Sequence, residues 1–213
     1  MKTTAIIVFL LIFNFCYGQN KSDYMIYSTI IEDYFTRNIS TKKTYDNAII
    51  FDKLKGAKNH LNESFDDFKW TSFKNPVDSI TKKKIHKMYL TLKNLPSVSR
   101  EIKIDSFKCS KPLHLIKNYE FDSLFAITPE DVLREKQKIY VEDNTTRGWR
   151  KFYNKFPKAI GVFGFTKIIY SGDLALLFVE FQQGNLTGHG NVYVMQMSGN
   201  SWKILTWFIL YES

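Results

Sequence analysis

The sequence predicts an α+β fold in which N-terminal helices pack on a mostly antiparallel C-terminal β-meander. Before residue 159, apolar side chains recur with helical spacing in several segments. From residue 159 onward, apolar segments alternate with short runs of Gly, Asn, Asp and Ser, which is typical of strands and hairpin turns. The sequence contains no internal repeat and no linker-like stretch, so residues 19–213 are expected to form a single domain.

Four strands are predicted in the C-terminal region, near residues 160–170, 173–182, 188–198 and 201–211. The segments between them have turn chemistry that suits hairpins, at residues 171–173, 182–185 and 198–201. Consecutive strands joined by such short turns pair antiparallel. These residues therefore predict a meander.

The predicted strands are apolar on both faces. In residues 174–181 one face has Leu174, Leu176 and Phe178, and the other has Ala175, Leu177, Val179 and Phe181. In residues 202–211 simple alternation predicts one face with Trp202, Ile204, Phe208 and Leu210, and another with Leu205, Trp207, Ile209 and Tyr211. A strand of an antiparallel sheet with one solvent-exposed face would alternate apolar and polar residues. Helices can cover one face; the second requires a further layer, a curled sheet that encloses a pocket, or a partner.

An amphipathic helix is predicted immediately before the strands. Trp149, Phe152, Tyr153 and Phe156 follow the i, i+3, i+4, i+7 pattern. Thr145 or Thr146 would cap its start, and a proline at 157 would end it.

Upstream, three further helices are predicted from their start signals and apolar stripes. Their expected caps are Ser22, Asp78 and Thr128, the last followed by a proline and two acids. Short strands are predicted at residues 48–51 and 101–107, with a surface loop over residues 53–67.

The first 18 residues are predicted to be a secretory signal peptide. Lys2 precedes an apolar run from Ala5 to Phe15, too short for a membrane-spanning helix of about 20 residues. Cleavage after Gly18 would leave a chain with Cys109 as its one cysteine, and therefore without an internal disulfide. A lipid anchor at Cys16 is the weaker alternative, because Phe13-Asn14-Phe15 lacks the small residues that lipoprotein processing requires. We therefore expect a secreted or periplasmic protein with no transmembrane segment after cleavage.

Aromatic and glycine positions recur in a definite order through the C-terminal third. They are Trp149, Phe152, Phe156-Pro157, Gly161, Ala175, Gly188-His189-Gly190 and Gly199 with Trp202-Lys203-Ile204. In these positions the chain resembles a widespread group of uncharacterised exported proteins from Bacteroidetes-type bacteria. The resemblance implies export and a single domain, and it transfers no catalytic residue. The chain departs from the pattern in its first strand, at Thr166 and Ile169-Tyr170. A cone-like sheet wrapped by helices, as in the nuclear-transport-factor type of fold, is a variant suggested by the doubly apolar strands and the Trp202-Lys203-Ile204 strand.

The positive charge of the chain is concentrated outside the predicted sheet. Of the net charge of +9, residues 159–213 contribute slightly negatively, through Lys167 and Lys203 against Asp173, Glu180 and Glu212. The helical and loop-rich part is therefore strongly basic. In an exported protein this favours an anionic envelope component or an acidic protein as partner, although lysines that merely solvate exposed faces give the same pattern. No nucleic-acid-binding motif is present.

Few residues suggest a site. His189 lies between two glycines on a predicted strand, where a ligand or another backbone could approach closely; a bulge or packing against an aromatic ring is the simpler interpretation. Arg147, Arg150 and Lys151 beside Trp149 would form an anion-binding corner, or only the solvated side of the helix. The four histidines lack the spacing of a metal motif, and no cofactor-binding motif occurs, so we expect neither a metal site nor a cofactor.

Two functions remain open. The first is a non-catalytic exported binding or interaction protein of the bacterial cell envelope, in contact through its basic helical side or a sheet-lined pocket. The second is a small hydrolase of envelope or environmental polymers, with His189 and nearby acids in a cleft. A carboxylate within hydrogen-bond reach of His189 in a deep pocket would favour the hydrolase.

Overall fold

A computed structural model describes residues 21–37, 44–56, 61, 77–95, 100–137, 143–184 and 187–212, and it has the predicted α+β architecture. The helices are α1 (21–37), α2 (Ser79–Lys93), α3 (Asn118–Phe125), α4 (Pro129–Lys136) and α5 (Asn144–Lys155). The strands are β1 (Asn47–Phe51), β2 (Leu113–Ile116), β3 (Ala159–Phe165), β4 (Ile169–Ser171), β5 (Leu174–Gln182), β6 (Gly188–Ser198) and β7 (Ser201–Glu212).

The strands form one mostly antiparallel sheet in the order β2-β1-β3-β5-β6-β7, with β4 also paired to β5. All pairs from β3 to β7 are antiparallel, as the predicted meander requires. Strands β1 and β2 extend the sheet on the β3 side with parallel pairing. Strands β3 and β4 meet the same edge of β5, and the Thr166 hydroxyl between them accepts a hydrogen bond from the Phe178 amide (3.0 Å).

Helix α1 covers one face of the sheet. Its apolar residues pack with Ala48 and Ile50 of β1 and with the Ala175, Leu177, Val179 and Phe181 side of β5. This face of β5 is the one that alternation predicted from the sequence. The apolar stripe of α1 consists of Tyr24, Tyr27, Ile30, Ile31, Tyr34 and Phe35.

The opposite face is covered by two separate groups of helices. The α2 residues Ile85, Met88, Tyr89 and Leu92 pack on the Leu174, Leu176 and Phe178 side of β5 and on β6 and β7. Helices α3 and α5 pack on β1 and β3, through an aromatic cluster of Phe121, Trp149 and Phe152. The second face of the sheet, whose cover the sequence left open, is therefore covered largely by helices; whether the sheet is cone-like stays a prediction.

The predicted faces of β7 are wrong in part, because two bulges interrupt its pairing with β6. Register shifts fall between Gly190 and Asn191 and between Val194 and Met195, each of which leaves an extra residue in β7. Trp202, Ile204 and Trp207 consequently pack on the α1 side, whereas Leu205, Phe208, Leu210 and Tyr211 pack on the α2 side. A β-bulge changes the parity of every residue beyond it, which strict alternation cannot anticipate.

Three other local predictions also differ from the structure. Residues 101–107 contain a single bridge and a short 3-10 helix, Ile104–Ser106, in place of a strand. The cap of α5 is Asp143, whose carboxylate accepts hydrogen bonds from the Thr145 and Thr146 amides. Ser22 lies inside α1, and its hydroxyl accepts a hydrogen bond from the Trp202 indole (2.8 Å). Asp78 caps α2 as predicted.

The predicted signal peptide, residues 1–18, and most of the predicted loop over residues 53–67 lie outside the described residues. None of the described helices has the length and apolar character needed to cross a bilayer. Cys109 is a free thiol and forms no disulfide.

Candidate functional site

A cleft opens at one end of the sheet, between the aromatic cluster of α3 and α5 and the ends of β5, β6 and β7. We name it the aromatic cleft. Its volume is about 660 Å³. Its wall is Phe121, Phe125 and Trp149, its floor is Glu180 and Gln182 of β5, and Tyr211 of β7 closes one side.

The rings of the wall pack edge-to-face. The Trp149 ring centroid lies 5.6 Å from that of Phe125, 5.9 Å from Phe121 and 5.2 Å from Phe152. Such contacts fix ring orientation beyond what burial alone provides. Gly148 permits this packing, since a Cβ there would lie 2.1 Å from the Phe125 ring. Trp149, a residue singled out by the sequence, is therefore both a core residue and a lining residue of the cleft.

The floor contains an ion pair. Lys55 Nζ lies 2.6 Å from Glu180 Oε2, and Gln182 Nε2 donates to Glu180 Oε1 at 2.5 Å. The same ammonium lies 3.9 Å from the centroid of the Phe51 ring. Gly164 lies beneath the lysine stem, because a Cβ there would come within 2.9 Å of Lys55 Cδ. The absence of a side chain at this position therefore lets Lys55 cross β3 and reach the carboxylate.

Tyr211 is held in its neutral form. Burial, followed by the nearby Glu180 carboxylate, raises the pKa of the Tyr211 phenol above its usual value. Gly190 provides room for this ring: a Cβ at Gly190 would lie 2.3 Å from Tyr211 Cε1 and 2.7 Å from Phe178 Cε2. The close approach predicted at the Gly188–Gly190 segment is thus an approach of aromatic rings, and Gly188 itself lines the cleft.

His189 lies on the other face of the sheet, away from Trp149 and Glu180. Its Nε2 is 2.7 Å from the Tyr34 hydroxyl, and its ring stacks on Tyr34 with 5.8 Å between centroids. Asn191 donates to the same hydroxyl at 3.2 Å. Burial raises the pKa of Tyr34 far above its usual value, so the phenol stays protonated. The described hydrogen-bond partner of His189 is therefore a neutral hydroxyl of α1.

The basic residues predicted beside Trp149 do not share one environment. Arg147 is buried and forms an ion pair with Asp131 of α4, and it donates to Asn144 Oδ1 at 2.6 Å. Arg150 is exposed, and Lys151 is half-buried. The ion pair compensates the Arg147 charge, so this residue fastens α4 to α5 and has little charge to offer an anion.

Helix α2 presents the clearest basic surface in the described chain. It contains five lysines and no acidic residue, and Lys83, Lys84 and Lys87 are exposed on the side opposite its buried stripe. Two apolar side chains, Ile80 (68% exposed) and Leu90 (44% exposed), lie on the same outer side. We name this surface the α2 lysine face.

Chemistry that would indicate catalysis is sparse in the described part of the chain. No group of three His, Cys, Asp or Glu side chains there is arranged to hold a metal ion. Burial raises the pKa of the Cys109 thiol to about 11, which disfavours the thiolate that a cysteine nucleophile needs.

Lys55, Glu180 and Gln182 were missed as site residues. A signal was present in β5, where Glu180 and Gln182 interrupt one apolar face of an otherwise hydrophobic strand. A carboxylate in such a position must be paired. Its partner, Lys55, is 125 residues away in sequence, so no local pattern identifies it.

Comparisons with protein families, with curated proteins and with solved structures find no match to the chain. The proposals below therefore depend on the geometry of the chain itself.

Proposed function

We propose that the chain is an exported, non-catalytic binding protein of the bacterial cell envelope, and that the aromatic cleft holds its ligand. The observation that carries the proposal is the cleft: about 660 Å³, with an apolar aromatic wall and a few polar groups on its floor. Binding pockets for small molecules have this size, about 300–1,000 Å³, and this mixture of lining residues. Export rests on the N-terminal sequence, and the bacterial origin on the resemblance of the C-terminal third to exported Bacteroidetes-type proteins.

The α2 lysine face supports the predicted contact with an anionic envelope component. Three exposed lysines lie within five residues of one helix that has no acid to neutralise them. Such a surface attracts anionic polymers or headgroups over distances of about 10 Å at moderate salt. Retention on an anionic glycan or lipid column should fall as salt rises. Retention that is independent of salt, or absent at low salt, contradicts this part of the proposal.

The hydrolase hypothesis receives no support from the arrangement around His189. A general acid or base has to reach the substrate together with the residues that bind it. His189 and the carboxylate of Glu180 lie on opposite faces of the sheet, and His189 contacts the Tyr34 phenol. We therefore favour binding without turnover.

Native mass spectrometry tests the ligand-binding role. The chain is incubated with the low-molecular-weight fraction of a bacterial envelope extract, and bound masses are recorded for the wild type, Gln182→Ala and Gln196→Ala. Gln182 is in the cleft, whereas Gln196 is an exposed glutamine of β6 that bonds to Asp173 (3.1 Å). We expect an adduct that is released unchanged in mass, is reduced at least fivefold in Gln182→Ala and is retained in Gln196→Ala. No adduct, an adduct equally abundant in all three chains, or conversion of the ligand would overturn the proposal.

A further inference from the structure

The charge balance of the cleft floor restricts the ligand. Glu180 is a nearly buried carboxylate, and Lys55 compensates its charge at 2.6 Å. A cationic ligand would meet a carboxylate that is already paired, so the usual gain from a buried ion pair is not available to it. The residues described as lining the cleft include no Lys or Arg, so an anionic ligand finds no countercharge either. The Asp122 carboxylate at the rim is exposed and its charge is screened by solvent, so the buried floor has the larger effect and favours an uncharged ligand.

The polar groups of the floor and rim exclude a purely apolar ligand. Glu180, Gln182 and Asp122 all line the cleft, and each has oxygen atoms that accept hydrogen bonds. Covering these groups with hydrocarbon would remove their water without replacing its hydrogen bonds, at a net cost for each group. Carboxylate and amide oxygens need hydrogen-bond donors, and the uncharged donors are hydroxyl and amide N–H groups. The ligand should therefore carry several hydroxyl or amide N–H groups.

The aromatic wall complements an apolar surface of the ligand, as the polar floor complements its hydrogen-bond donors. Phe125 and Tyr211 are partly exposed and line the cleft together with the buried Trp149. Aromatic rings offer an apolar, electron-rich surface on which the C–H side of a sugar ring can lie, while the hydroxyl groups at its edge reach polar residues. A volume of about 660 Å³ is within the range of pockets for one drug-sized ligand.

We infer that the aromatic cleft binds an uncharged glycosyl unit, a neutral mono- or disaccharide or the end of a longer neutral glycan. The inference rests on the proposed function and specifies its ligand class. The aromatic wall receives the apolar face of the sugar, and Glu180, Gln182 and Asp122 accept its hydroxyl hydrogens. The Lys55 ammonium compensates the charge of the Glu180 carboxylate, so the floor accepts hydrogen bonds with little attraction for cations.

Ligand-observed NMR with the full chain tests the inference. The probes are neutral sugars (glucose, galactose, mannose, N-acetylglucosamine, maltose and cellobiose) together with glucosamine, glucuronate and cyclohexanol, each at up to 20 mM. At least one neutral sugar should bind with a dissociation constant near or below about 1 mM, a free energy of about −4 kcal/mol. It should bind at least tenfold more tightly than glucosamine, glucuronate and cyclohexanol.

Three variants test whether the sugar binds in the aromatic cleft. Gln182→Ala removes one amide from the floor and should weaken binding of the sugar about five- to tenfold, the effect of one lost hydrogen bond. Asp122→Asn replaces the charged acceptor at the rim with a weaker neutral one and should weaken binding of the sugar about two- to fivefold. Gln196→Ala is the matched control outside the cleft and should bind as the wild type does. Unchanged thermal unfolding midpoints separate these effects from misfolding.

The outcomes distinguish this inference from the proposed function. If no neutral sugar binds, or if a charged probe or cyclohexanol binds as tightly, the ligand class is wrong. The proposed function still stands in that case when native mass spectrometry finds a cleft ligand of another class. If sugar binding is equal in Gln182→Ala and the wild type, the sugar does not occupy the cleft and the inference is overturned.

Discussion

Because both faces of β5 are buried, truncating a side chain on either face should lower the unfolding free energy by a similar amount. Leu176 and Leu177 are neighbours in sequence, and the side chains of both are fully buried, with 0% exposure. Leu176 packs against α2, whereas Leu177 packs against α1. Replacing either residue with alanine removes buried methyl groups and leaves a cavity, which costs roughly 3–5 kcal/mol of unfolding free energy in well-packed cores.

Urea denaturation followed by circular dichroism measures this cost. With a urea dependence of about 2–3 kcal/mol per M, each leucine variant should unfold at a midpoint lower by about 1–2.5 M. Ile209→Ala, an exposed position in β7 (55% exposed), is the matched control and should change the unfolding free energy by less than about 0.5 kcal/mol. If either leucine variant were as stable as Ile209→Ala, one face of β5 would not be covered, and the account of a sheet between two helical layers would fail.

Three further predictions concern local features. Gly190→Ala should lower the unfolding free energy by about 1–3 kcal/mol in urea titration, because the Tyr211 and Phe178 rings must move; a neutral effect would contradict this packing. Asp143→Ala should lower the thermal midpoint at pH 7, where the carboxylate caps α5. The Thr146 hydroxyl, followed by the amides of the first turn, holds the pKa of Asp143 below its usual value. The cap therefore stabilises the fold above the ordinary carboxyl pKa of about 3.9 and is lost as pH falls through the lowered pKa. The difference between variant and wild type should therefore vanish in strong acid, and a difference independent of pH would refute the cap. In a Cys16→Ser chain, Cys109 should react with iodoacetamide at pH 8 roughly a hundredfold more slowly than a free thiol, with the rate rising toward pH 11; fast reaction at pH 8 would contradict its raised pKa.

The parts of the fold that follow from local pattern were predictable from the sequence. The apolar stripes of α1, α2 and α5, the Asp78 cap and the turn between β6 and β7 each lie within a dozen residues of sequence. The two faces of β5 follow from alternation alone. In contrast, β2 and α3 were not anticipated, because residues 113–125 are short and mixed in polarity. The bulges in β7 were missed since they depend on how its backbone matches β6.

The site was less predictable than the fold. Trp149 was singled out for the basic residues around it, whereas the structure places it in the wall of the cleft. Arg147 has its charge compensated by Asp131 of α4, a residue 16 positions earlier in the chain. The pairing of Lys55 with Glu180 joins the loop after β1 to the end of β5, and only tertiary structure brings them together.

Chemical-shift mapping of the labelled chain with the tightest-binding neutral sugar tests the central claim most directly. The Trp149 indole, the Gly188 amide and the Gln182 side-chain amide should shift progressively with ligand. The α2 lysine face, which lies outside the cleft, should remain unchanged. The His189 ring, on the opposite face of the sheet, should also remain unchanged. Shifts concentrated on α2 or around His189, or no shifts at millimolar sugar, would contradict a binding site in the aromatic cleft.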